Sequence, residues 1–270
     1  MDSVYELTGG GVFATEYARG PWDPNHQHGG APAALLMRAF EETSPDPTLA
    51  LTRVTYELIR PVPLGPLSVT AAVTRPGRRV QLLEGTISTP EGTEVVRARA
   101  LRVRRAPVSV GADLSPNRAA AEAAAGTVKP PAGPSGLVAA PFFSDRVLFP
   151  GHGVEVRFLE GGFGEPGPGT AWFRLLVPLV AGERPTPLQR VAAACDFPNG
   201  IASELGWDRY VFINPDLTLY LEREPIGEWI CLRAGMRVIE GGAGISQAVL
   251  YDESGRIGRS LQSLYVAERD

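Results

Sequence analysis

The chain has 270 residues, with 44% hydrophobic and 21% charged residues, a formal net charge of −4 and a pI near 5.6. That length supports one large core or two small ones, and the acidic balance argues against a nucleic-acid surface. No apolar run has membrane-span length, Met1-Asp2-Ser3-Val4-Tyr5-Glu6 lacks a signal-peptide pattern, and Cys195 and Cys231 are too few for a disulfide framework or zinc site, so a cytosolic protein without metal or cofactor is expected.

Residues 4–19 alternate loosely around Gly9-Gly10-Gly11, which predicts one or two short strands with a bend. Asp23-Pro24-Asn25-His26-Gln27-His28 is a polar turn that meets Gly29-Gly30. An apolar helix follows through Pro32, Leu35, Leu36, Ala39 and Phe40, widened by Ala33 and Met37, and its pattern predicts burial on most sides. The glycines leave the first N–H groups of this helix uncovered, where the dipole favours an oxyanion. The alternative is a tight turn whose glycines serve close packing.

After Pro45-Asp46-Pro47 come four β-rich runs, 49–60, 67–73, 79–89 and 94–104, the last two divided by the hairpin signal Pro90-Glu91-Gly92. Arg97, Arg99, Arg102, Arg104 and Arg105 are expected to form a solvated strand face, or else to contact an anionic ligand. Residues 106–137, rich in Ala, Pro, Gly and Ser, form the linker, with a short helix expected from Ser115-Pro116 to Gly126 and extended chain around Pro130-Pro131 and Pro134.

The same order then returns. Strands are expected over 153–159 and 170–180, then a helix opened by Pro187 that runs through Val191-Ala192-Ala193-Ala194-Cys195-Asp196 and past Pro198 toward Gly206. Four β runs follow at 210–221, 228–238, 244–252 and 256–267. Gly65 and Gly227 close similar proline-bearing turns, and Gly92 and Gly255 close similar hairpins; the offsets, 227 − 65 = 162 and 255 − 92 = 163, agree within one residue. Two such matches in register point to duplication, with halves at 1–105 and 138–270.

A helix that is apolar nearly all round needs cover on all sides, and a curved antiparallel meander supplies it. This α+β layout is that of the hotdog fold, here a double hotdog with two antiparallel sheets, each wrapped around a long central helix. The chain resembles the acyl-CoA thioesterase II-like family, notably its tandem-hotdog members. The residues that carry the resemblance are the turn into Gly29-Gly30, the Ala-Cys-Asp196-Phe-Pro-Asn-Gly segment and the closing Ser260-Leu261-Gln262 strand. It implies hydrolysis of an acyl-CoA or acyl-carrier thioester in a homodimer or higher homo-oligomer. Gly29 and Gly30 would supply oxyanion donors, Asp196 would activate water, Gln262 would hold that water, His28 would line the site, and Asn199 would contact substrate.

Eight residues past Gly29 stands Met37, which cannot act as a base, and eight before Asp196 stands Leu188, after Pro187, which has no N–H. One of two pseudo-symmetric sites is therefore complete. Gln262 competes with its neighbour Ser263 for the inward register, and the family's water-holding Ser or Thr is not evident on 228–238, where Arg237 stands near the position. Cys195 beside Asp196 reads as a small buried thiol. Two rivals remain. Asp23, Asn25 and His28 have the D-x-N-x-x-H spacing of a hotdog enoyl-CoA hydratase or dehydratase, with His26 where that motif has proline. The missing hydroxyl also admits a catalytically silent acyl-thioester binding protein.

Overall fold

Strands dominate the structure, a computed structural model that describes residues 2–107, 120, 129–142 and 144–269. The first part contains β1 (Tyr5–Thr8), β2 (Gly11–Ala14), α1 (Gly30–Glu42), β3 (Leu49–Leu58), β4 (Gly65–Arg75), β5 (Val80–Ser88) and β6 (Glu94–Arg104). The second contains β7 (Val154–Glu160), β8 (Gly169–Leu175), α2 (Pro187–Ala194), α3 (Pro198–Ile201) and β9 (Tyr210–Ile213). It continues with β10 (Asp216–Leu221), β11 (Ile230–Ile239), β12 (Ala243–Asp252) and β13 (Gly255–Glu268). Among the described residues no helix is long and apolar enough to cross a membrane.

The strands form one antiparallel sheet in the order β1-β2-β4-β5-β6-β3-β10-β13-β12-β11-β8-β7, with β9 alongside β13. Two separate sheets were expected. Instead β3 and β10, which would otherwise be open edges, pair with each other from Asp216↔Glu57 to Tyr220↔Arg53 and so satisfy their backbone groups. Thr55 stands opposite Thr218, their hydroxyls 3.2 Å apart. Their separation, 218 − 55 = 163, equals the sequence offset between the hairpins. About this pair the order β4-β5-β6-β3 is matched by β11-β12-β13-β10.

Helix α1 is buried through Ala31, Ala33, Ala34, Leu35, Leu36, Met37 and Phe40, as its apolar pattern predicts. It lies close on β5 at Gly85, where a Cβ would stand 3.0 Å from the Phe40 ring and 3.1 Å from Leu36. The second helix departs from expectation. Pro198 has no N–H for the Ala194 carbonyl, which instead accepts the Phe197 N–H at 3.2 Å, so α2 ends after eight residues and α3 adds four. Among the described residues a long central helix is present only in the first part. The expected run 210–221 is likewise two strands, broken at Asn214-Pro215.

The arginine face is also corrected at one position. Arg97 and Arg99 are exposed and pair with Glu94 and Glu84. Alternation puts Arg102 on the inner face with Ala98 and Ala100, and it is 5% exposed. Its guanidinium donates to the carbonyls of Phe40, Thr43 and Ser44 and to Gln81 Oε1, which satisfies the orphan carbonyls at the end of α1. The helix expected after Ser115-Pro116 lies, save for Ala120, outside the described residues. The end of the linker turns at Pro134 and lies against the sheet, where Ala132 O accepts Trp172 Nε1–H at 2.7 Å and Pro134 O accepts Arg157 at 3.1 Å.

Candidate active site

The polar turn before α1 is fastened on three sides. Gln27 N–H donates to Val62 O at 2.8 Å, the Gln27 amide bridges the Tyr5 hydroxyl and Pro63 O, and His28 N–H donates to Ala18 O at 2.9 Å. His28 is thereby set at the start of α1, stacked on Phe197 with ring centroids 4.4 Å apart. Its Nδ1 accepts the Gly30 N–H at 3.1 Å, which leaves the ring proton on Nε2. Burial lowers the imidazole pKa to about 3, so His28 is neutral at physiological pH.

Asp196 lies in the break between α2 and α3, just past the C-cap Cys195, and is 6% exposed. Its Oδ1 accepts Asn214 Nδ2–H at 2.8 Å and Gln262 Nε2–H at 3.0 Å. Its Oδ2 lies 3.3 Å from His28 Nδ1. The glycines make this approach possible, because a Cβ on Gly29 would stand 2.6 Å from Oδ2 and one on Gly30 would collide with the Ala193 carbonyl. Burial pushes the Asp196 carboxyl up to about 7, against the donors of Asn214, Gln262, Gly30 and Gly29, which pull it down. The unprotonated Nδ1 beside Oδ2 also favours a proton on the carboxyl.

All six residues singled out from the sequence meet here: His28, Gly29, Gly30, Asp196, Asn199 and Gln262. The register question falls to Gln262, which is buried, while Ser263 is exposed and donates its N–H to Asp216. Asn214 was missed. It stands where β9 gives way to β10, and its Oδ1 accepts Asn199 Nδ2–H at 3.3 Å, so Asn199, Asn214 and Asp196 form a chain. The dipeptide Asn214-Pro215 inside an apparent single strand was the available signal. Arg237 is exposed on β11 and does not line the site.

Above Asp196 opens a pocket of about 530 Å³. Its walls include Trp22 from the turn before α1, Phe142 from beyond the linker, Phe163, Trp207 and Phe212. His28, Gly29, Asp196, Asn199 and Asn214 also line it. A smaller cavity of about 220 Å³ on the sheet, beside Arg233 and Arg259, has neither carboxylate nor imidazole. Where α1 ends against α2, Glu41 accepts from Thr186 Oγ1 at 2.8 Å and Gln189 Nε2 at 3.0 Å. The start of α2 is thus capped by Thr186 Oγ1, which accepts the Gln189 N–H at 3.2 Å with Glu41 behind it, and opened by a proline.

Asp23 accepts the Asn25 N–H at 2.7 Å and lies 3.3 Å from His26 Nδ1. It does not pair with His28. Both cysteines are buried, and burial pushes their thiols up, Cys231 to about 12. Such thiols are poor nucleophiles.

Two family models match the chain: an acyl-CoA thioesterase N-terminal domain over residues 18–103 and an acyl-CoA thioesterase C-terminal domain over residues 121–266. Similar solved structures include a conserved hot dog-fold protein of unknown function from Alicyclobacillus acidocaldarius, 17% identical, with TM-score 0.70 over 98% of this chain and 96% of that one. A candidate thioesterase from Novosphingobium aromaticivorans is 20% identical, with TM-score 0.70 over 98% and 99% of the two chains. Acyl-CoA thioesterase II TesB2 from Mycobacterium marinum is 14% identical, with TM-score 0.64 over 94% and 97%. At these identities the likeness shows a shared hotdog-type architecture. Comparison with curated proteins finds no match.

Proposed function

The chain belongs to the acyl-CoA thioesterase family, and from that premise we propose that it hydrolyses acyl-CoA with a water activated by Asp196. The observation that carries this reading is a buried carboxylate, gripped by Asn214 and Gln262, at the floor of an apolar pocket beside the start of a helix. The ionised carboxylate takes a proton from water as the water oxygen attacks the thioester carbonyl carbon. The developing oxyanion faces the α1 tip, where His28 Nε2–H is the donor left for it, since the Gly29 N–H acts on the Asp196 carboxyl. The Gly30 N–H is engaged by His28 Nδ1, so Gly30 acts on the oxyanion through the imidazole. Collapse breaks the C–S bond, and the proton held by Asp196 passes to the departing thiolate.

The second helix start, held by Glu41 and opened by Pro187, supports a single site per chain. The Thr55–Thr218 pairing and the common offset support a duplicated double hotdog with halves at 1–105 and 138–270. The exposed Tyr220, Ile245, Leu261 and Tyr265 support burial of the sheet's outer face in a homo-oligomer. The outward pairing of Asp23 with Asn25 and His26 counts against hydratase chemistry.

Turnover of a panel of saturated acyl-CoAs, measured beside hydration of crotonyl-CoA, tests the reading. Thiol release from the saturated series is expected. Hydration without thiol release would replace this function with the hydratase, and binding without either reaction would leave a silent acyl-thioester receptor.

A further inference from the structure

We propose that Arg38 and Glu41 of α1 are positioning residues for Asp196: they clamp the start of α2 to α1 and so fix how far along α1 the second helix delivers its carboxylate. The inference deepens the reading of Asp196 as the base and rests on it for its catalytic consequence.

Helices α1 and α2 lie against each other and run antiparallel. Near one end a Cβ on Gly30 would collide with the Ala193 carbonyl, so the two backbones touch. Asp196 follows three residues later. At the other end the contact is polar. Glu41 Oε2 accepts from both Thr186 Oγ1, 2.8 Å, and Gln189 Nε2, 3.0 Å. Thr186 and Gln189 are joined reciprocally as a capping box, so the carboxylate grips the whole first turn of α2. One turn earlier on α1, Arg38 makes a bidentate pair with Glu183, Nε to Oε2 and Nη2 to Oε1, both at 2.7 Å. The segment that carries Glu183 is itself tied down, since the Ala181 N–H donates to Tyr5 O at 2.9 Å and the Glu183 N–H to Val180 O at 3.0 Å. The separations 183 − 38 = 145 and 186 − 41 = 145 are equal, so one turn of α1 is matched by one step of the chain that enters α2.

The two ends of the helix pair contribute differently. Ala31, Ala33 and Ala34 of α1 and Ala192, Ala193 and Ala194 of α2 are small and buried. Burial of such residues is non-directional, and they raise no ridge that would stop one helix sliding along the other. Hydrogen bonds and ion pairs are directional, and fixing register is the best-attested use of buried polar groups. Helix α2 has eight residues and is about 12 Å long, with the clamp at one end and Asp196 just past the other. A slip at the clamp is therefore carried to the carboxylate, where a displacement of about 1 Å can cost about a hundredfold in rate. Glu41 meets hydroxyl and amide donors and not a cation, so the clamp needs from it an acceptor oxygen in place. Burial already raises its carboxyl against the pull of those donors, with Glu224 and Glu42 adding to the rise.

The test uses the full chain with Glu41→Ala, Glu41→Gln and Arg38→Ala, read by hydrolysis of octanoyl-CoA and by ¹³C NMR titration of the Asp196 carboxyl. Glu41→Ala should lower kcat about tenfold or more, with KM changed by less than about twofold. Its Asp196 should titrate below the parental value of about 7, because a displaced α2 lets water reach a carboxyl that burial had raised. Glu41→Gln keeps an oxygen where both donors end, so it should hold kcat within about threefold of the parent and leave the titration in place. Arg38→Ala should move both readouts in the same direction as Glu41→Ala, and it decides the matter if Glu41→Ala does not fold. A clamp that only stabilised the fold would lower the melting temperature and leave kcat and the Asp196 titration of the folded variants unchanged; that result overturns the proposal. So does a Glu41→Gln protein as impaired as Glu41→Ala. The titration needs no turnover, so a parent inactive on thioesters would sink the proposed function while the clamp is still decided.

Discussion

Asp196→Asn separates catalysis from packing. The Asn carbonyl can still accept from Asn214 and Gln262, and its NH₂ would face His28 Nδ1, so the geometry tolerates the change. The proton acceptor is lost, and turnover should fall roughly 10²–10⁴-fold. In the parent protein only the ionised carboxylate serves as base, so kcat/KM should rise with pH through about 7, where burial places Asp196. Stability moves the other way. A carboxyl raised from 3.8 to about 7 holds a proton in the folded state that the unfolded chain has released, so its stabilising effect is full below 3.8 and is lost as pH rises through about 7. That difference amounts to at most about 4 kcal/mol at pH 8. Asn escapes it, so the variant should melt higher than the parent at pH 8 and no higher at pH 4. Thiol release from acyl-CoA and thermal melts at the two pH values provide the readouts. Turnover at the parental rate would refute the assignment of the base, and an equal loss of stability at both pH values would refute the proton-bearing carboxyl.

Gly29→Ala should force the carboxylate aside, since the new Cβ would stand 2.6 Å from Asp196 Oδ2; steady-state kinetics should show kcat reduced tenfold or more, with a smaller change in KM. Asn214→Ala removes a charge-assisted donor from Asp196 Oδ1, and turnover should fall about tenfold, with the pH profile displaced upward. Arg102→Ala should cost about 2–4 kcal/mol in urea unfolding, because the carbonyls at the end of α1 lose their buried donor. Burial raises the Asp252 carboxyl, but Arg223 and the donors of Ser254 and Ile226 outweigh it and hold it at about 2. Its stabilisation is present above pH 3.8 and is lost as pH falls through about 2, so unfolding midpoints of Asp252→Asn and the parent should converge in acid.

Much of the site was legible because its parts are local. Gly29-Gly30 before an apolar run marks a bare helix start in any context, and an Asp among small apolar residues marks a buried carboxyl. Alternation likewise places Arg102 inward with Ala98 and Ala100, although a run of arginines suggests a wet face. Other features depend on residues far apart in the chain. Asn214 reaches Asp196 only because Pro215 breaks a strand and β10 pairs with β3, and no local pattern contains that contact. Nor does β3 alone show that its edge will meet β10 and make one sheet of two meanders, since an open edge looks the same before it is paired. The raised carboxyl of Asp196 and the lowered imidazole of His28 are likewise products of burial. By itself the sequence determined which groups are available and where the helices begin. The tertiary structure decided which of them meet, how far water is kept from them and hence which proton each one holds, because desolvation and hydrogen bonding act through space and not along the chain.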